Sequence, residues 1–99
     1  MDIPRYLKIG PFNYTVELHD GYWNKDDVRV YGEVDERVAT INLDVDASHE
    51  IVRDSVVHEI LHAILMMYDR DDEDLVRILA PMLLQVMRDN PKLMLALTT

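Results

Sequence analysis

Apolar and polar positions alternate in two different ways along this chain. Up to about residue 47 they change over every residue or two, in short runs broken by Gly, Pro, Asn and Asp, as strands and turns do. Beyond that point come long stretches of Ala, Leu, Ile and Met, as in helices. RYLKIG and NYTVEL flank Gly10-Pro11 and predict a hairpin, and HDGYWNKDD reads as a polar connection. VRVYGEV and RVATINLDV predict a second strand pair joined near Asp35-Glu36. In the last run Ala39, Ile41, Leu43 and Val45 share one face, and Val38, Thr40, Asn42 and Asp44 share the other. The expectation is a small sheet of three or four strands, mostly antiparallel.

A helix is predicted from Ser48, whose hydroxyl suits an N-cap, with Glu50 in the favourable first turn, to about Tyr68. DRDDED reads as the connection, and a second helix begins near Glu73 and covers LVRILAPMLLQVM. Pro81 removes a backbone donor inside that helix and predicts a kink. Asn90-Pro91 closes it and opens a short final helical turn, PKLMLAL. The pattern as a whole predicts one α+β domain over residues 1–99, a sheet followed by two packed helices.

The first helix is unusual. Val52, Val56, Ile60, Ala63, Ile64 and Met67 form one stripe at 100° per residue, with His58 and His62 almost opposite. Leu61 and Leu65 flank those histidines, so their face is apolar too, and a helix apolar all round is buried between layers. Buried polar groups need partners, because each one left unpaired costs about 1–3 kcal/mol. A metal ion would satisfy this group together. Residues at i and i+4 lie one turn apart on one face, so two imidazoles can converge on one ion. Glu59 points beside that ion, where it can take a proton from a water. This is the mechanical content of the spacing H-E-x-x-H.

Composition narrows the rest. The chain has 99 residues, 48% hydrophobic and 29% charged, which suits one soluble domain. Its net charge of −9 argues against nucleic acid and anionic membranes, which reward clustered Lys and Arg. No apolar run is long enough to cross a bilayer, the first residues lack a signal-peptide layout, and there is no cysteine. A cytoplasmic location is the expectation.

HEILHAIL, the following EDLVRILA and RDNP near the end resemble the very small one-domain H-E-x-x-H zinc metallopeptidases often carried by phages and prophages, a minimal zincin of gluzincin type. The order of small sheet, motif helix and second helix with an acidic start matches as well, over roughly residues 31–95. The resemblance implies one zinc per chain and a peptide or protein substrate hydrolysed through a zinc-activated water. By that carry-over His58 and His62 are metal ligands, Glu59 is the general base and Glu73 is the third ligand. Straight-helix geometry disfavours Glu73, since the first helix would end about 12 Å beyond the level of Ile60. Asp74, Asp44, Asp46 and His49 therefore stay open as alternatives. Leu65 and Tyr68 stand where a three-histidine site would need Gly and His, so that class is excluded.

The resemblance also makes RVATINLDV the rim that aligns an extended substrate, with Thr40 and Asn42 facing outward. Asp54, four residues before His58, is either support for an imidazole or an ordinary acid of the early helix. Tyr22, Tyr31, Tyr68 and His19 are available as donors to an oxyanion. Two other functions fit the same residues: a non-catalytic zinc-stabilised interaction module, or a metal-free partner-binding protein of a phage or mobile element.

Overall fold

The computed structural model describes residues 1–99. Strands β1 (Tyr6–Ile9) and β2 (Phe12–His19) form the expected hairpin, reversing at Gly10 with φ 59°, a left-handed conformation that glycine takes without strain. Strands β3 (Gly32–Asp35) and β4 (Thr40–Asp44) pair antiparallel across a turn closed by Ala39 at φ 48°. The sheet order is β1-β2-β4-β3, and β4 runs parallel to β2 with Val16 opposite Ile41 and Leu18 opposite Leu43. The sheet is therefore mixed, two antiparallel pairings and one parallel, and the α+β architecture stands.

The inserted position of β4 corrects one expectation. The strand before the motif helix is flanked on both sides, so it cannot be an exposed rim. The free edges belong to β1 and β3, and β3 is also shorter than VRVYGEV suggests. Residues 28–31 instead form the end of a loop, held by Val30 N–H to Tyr22 C=O at 3.0 Å and by Asp44 N–H to Tyr31 C=O at 2.9 Å. Asp44 departs from the strand pattern too. Alternation assigns it to the outward face, yet it is only 1% exposed, because Arg29 and the backbone amides of Gly21 and Asp46 enclose its carboxylate.

Helix α1 (His49–Met67) follows, capped by Ser48 Oγ accepting from Ile51 N–H. It lies across the face of the sheet that carries Ile9, Tyr14, Val16, Ile41 and Leu43, with Ala63 completing the buried cluster and Val56, Ile60 and Met67 packed around it. Each Val, Ile or Leu side chain removed fully from water contributes about 1.5–3 kcal/mol. Helix α2 (Glu73–Asp89) covers the opposite side of α1 through Val76 and Ala80, and continues through Pro81 as one helix. It runs antiparallel to α1: Arg88 near its end donates to Glu50 at the start of α1 at 2.8 Å. Sheet and α2 thus sandwich α1, as its all-round apolar surface requires. Ile64 is the exception in the predicted stripe and remains exposed. The short α3 (Pro91–Thr98) buries none of its residues. No helix is long and apolar enough to cross a membrane.

Candidate metal centre

One turn of α1 separates His58 from His62, and the two rings turn the same atom inward: Nε2 to Nε2 is 3.2 Å. The Glu73 carboxylate closes the group, with Oε2 2.5 Å from His62 Nε2 and Oε1 3.1 Å from His58 Nε2. A tetrahedral ion bonded at about 2.0–2.1 Å holds neighbouring ligand atoms about 3.3 Å apart; the two His58 separations are close to this, and the His62–Glu73 pair is tighter, as a direct hydrogen bond is. His58, His62 and Glu73 together form a group that could hold a metal ion. Among the open alternatives for the third position, Asp44 and Asp46 are bound to Arg29 instead, and His49 sits exposed at the start of α1.

The distance objection to Glu73 is resolved by how α1 ends. Arg70 N–H bonds Leu65 C=O at 3.0 Å and Asp69 N–H bonds Met66 C=O at 3.2 Å, with Asp69 at φ 55°. That is a Schellman motif with Asp in the left-handed position usually held by Gly. The chain reverses there, and residues 70–72 fold back along α1 before Asp72 caps α2 by accepting from Leu75 N–H. A carboxylate at the very start of α2 is thereby brought to the histidines.

The same reversal delivers Asp71, whose Oδ1 lies 2.5 Å from His62 Nδ1. By sequence DRDDED reads as a solvated turn, and only the reversal reveals this partner. With Nδ1–H donating to Asp71, His62 Nε2 is left with a lone pair directed at the Glu73 carboxylate and at His58. His62 Nε2 and the Glu73 carboxylate are then two acceptors face to face, which repel unless a proton or a metal cation lies between them. In the metal-free protein a proton can play that part. Burial opposes the His62 imidazolium, but the Asp71 hydrogen bond and charge, with Glu59 and Glu73, outweigh it and raise the His62 pKa.

Glu59 points to the sheet side, where it is 6% exposed. Burial drives its pKa from 4.5 up to about 7; the His62 charge lowers it, and Glu73, Glu33 and Asp71 raise it further. A carboxyl poised there is suited to proton transfer at neutral pH. Its place depends on Gly32 in β3. A Cβ at position 32 would stand 3.0 Å from both Cγ and Oε2 of Glu59 and 3.2 Å from Asn42 C=O. Gly32 sits in VYGEV, where a lone glycine inside a strand pattern marks close approach of another group, a signal available in the sequence.

A cleft of about 720 Å³ opens beside these residues, lined along one wall by residues 30–34 and along the other by Asp54, Ser55, His58, Glu59 and His62. Of the expected oxyanion donors only Tyr31 lines it. Burial, with the hydrogen bond that Tyr22 donates to Glu33 at 2.8 Å, pushes the Tyr22 pKa up to about 12, and His19 bonds Asn42. Tyr68 lies exposed at the end of α1. Asp54 gives His58 no support: its Oδ1 is buried without a hydrogen-bond partner. Comparison with known proteins finds no match, whether to a family model, a curated protein or a solved structure.

Proposed function

We propose that this chain is a zinc-dependent metallopeptidase. The observation that carries the reading is the convergence of His58 Nε2, His62 Nε2 and the Glu73 carboxylate beside a separate, buried Glu59. His58, His62 and Glu73 would hold the ion, and Asp71 would fix the tautomer and orientation of His62. Zinc, when bound, supplies a Lewis acid that acidifies water and polarises a carbonyl. Glu59 accepts the proton of the attacking water and passes it to the leaving amine. Tyr31, which lines the cleft, would donate to the oxyanion. The unpaired edge of β3 runs along the cleft, so an extended peptide can be held there as an additional strand.

A second reading, a non-catalytic interaction module, draws support from the apolar side chains left exposed on α2 and α3, among them Ile78, Met82, Leu95 and Leu97. Two measurements separate the readings. Elemental analysis should find about one zinc per chain in the wild type and none in His58→Ala. Hydrolysis of a mixed peptide substrate should be present in the wild type and absent in a Glu59→Gln variant that keeps its zinc. Zinc retained with no hydrolysis in the wild type favours the module, and hydrolysis undiminished in Glu59→Gln defeats the mechanism.

A further inference from the structure

One carboxylate of the cleft has neither a task in the peptidase reading nor a hydrogen-bond partner in the fold. Asp54 lies on α1 four residues before His58, on the same side of the helix and about 6 Å nearer its start. It lines the cleft together with Ser55, Val30 and Tyr31. Its Oδ1 is buried and has no hydrogen-bond partner, the only such side-chain atom in the protein. Asp54 as a whole is only half-buried and still lines the cleft, so a donor bound there would meet a carboxylate that the fold leaves without a partner.

The cations nearby are engaged elsewhere. Arg29 donates from Nε to Asp44 at 3.0 Å and from Nη2 to Asp46 at 2.9 Å, and lies over the Trp23 ring at 5.3 Å. Arg77 faces Glu73 and Asp74. His62 is taken by Asp71 and Glu73. Each of these cations already has a carboxylate partner, and none bonds Asp54. A separation of about 6 Å from His58 equals roughly two residues of extended chain.

We propose that Asp54 selects substrates bearing a Lys or Arg side chain one or two residues from the bond that is cleaved. The proposal rests on the metallopeptidase reading. A peptide laid along the β3 edge passes between residues 30–34 and α1, and a cationic side chain projecting toward α1 meets the Asp54 carboxylate. An aliphatic side chain of equal length would leave that carboxylate buried and unpaired, and an acidic one would be repelled.

The probes are heptapeptides blocked by N-acetyl and C-amide groups, carrying Lys, norleucine or Glu at a central position. Affinity is read by NMR titration of the zinc-loaded Glu59→Gln protein, which holds peptide without turnover, with and without the isosteric Asp54→Asn change. Cleavage of the same peptides by the wild type is mapped by mass spectrometry. The Lys peptide should bind about tenfold or more tightly than the norleucine peptide, as for one charged hydrogen bond. Asp54→Asn should bring the two together, and cuts should fall one or two residues from Lys. Equal affinities, a preference that survives Asp54→Asn, or binding only when the peptide amine is left free would overturn the proposal. Cuts unrelated to basic residues would sink it while leaving the peptidase standing. A Lys preference abolished by Asp54→Asn, with no cleavage of any peptide, would overturn the proposal together with the peptidase and leave only a binding contact for a basic side chain. If no peptide binds, it fails.

Discussion

Replacing Glu59 by Gln in the metal-free protein should make the fold more stable, and only above a certain pH. The carboxyl is 6% exposed and its pKa rises from 4.5 to about 7 on folding, burial being the main cause. Between those two values the native state binds more protons than the unfolded chain, so stability falls as pH rises. The cost is absent below about pH 4.5 and complete above about pH 7. At about 1.4 kcal/mol per pH unit it amounts to about 3 kcal/mol, a large share of the 5–15 kcal/mol that holds a domain together. The replacement amide stays neutral throughout. Urea unfolding in the presence of a chelator should therefore give nearly equal midpoints for the two proteins near pH 4.5. By pH 8 the Gln variant should lead by about 3 kcal/mol. Saturating zinc should shrink that lead, since a cation beside Glu59 offsets the burial of its charge. A Gln variant no more stable at pH 8, or one whose advantage does not change with pH, would falsify the account of Glu59 as a destabilising buried acid retained for chemistry.

Gly32→Ala should force Glu59 aside, because the added carbon meets it at 3.0 Å; the expected cost is about 1–3 kcal/mol, with hydrolysis lost and zinc retained, read by thermal melting, turnover and metal analysis on one preparation. Asp71→Asn should weaken zinc binding about 10–100-fold in chelator competition while leaving the helices intact by circular dichroism, and unchanged affinity would show that the His62 contact is incidental. Asp44 behaves in the opposite sense to Glu59: burial raises its pKa, but Arg29 and the amides of Asp46 and Gly21 win, so it is lowered from 3.8. Its contribution to stability is present above about pH 3.8 and is lost as pH falls through the lower folded value. Asp44→Asn should cost about 2 kcal/mol at pH 7 and markedly less in acid, as measured by denaturant midpoints at both pH values.

The helices and the His58-Glu59-His62 group were legible because their signals are local. An i, i+4 pair, a serine cap and an apolar run need nothing from distant residues. What could not be read depends on tertiary approach. β4 sits beside β2 through a parallel pairing that joins Val16 to Ile41, and no local pattern announces it. Asp44 looks outward by alternation and is buried because Arg29 covers it from a loop. The fold-back before Glu73 turns on Asp69 in a left-handed conformation, without the glycine that would have signalled a helix stop. With that turn invisible, Asp71 looks like one more solvated acid and Glu73 looks out of range.

That turn has a kinetic consequence. His58, Glu59, His62, Asp71 and Glu73 fall within a single short segment, and the loop that must close to bring them together is only a few residues long. Its closure entropy is small, and contacts so near in sequence form early and fast. A metal ion that binds as this helical hairpin forms would favour it before the slower pairing of β2 with β4 is complete. The sheet would then be recruited to a hairpin already ordered.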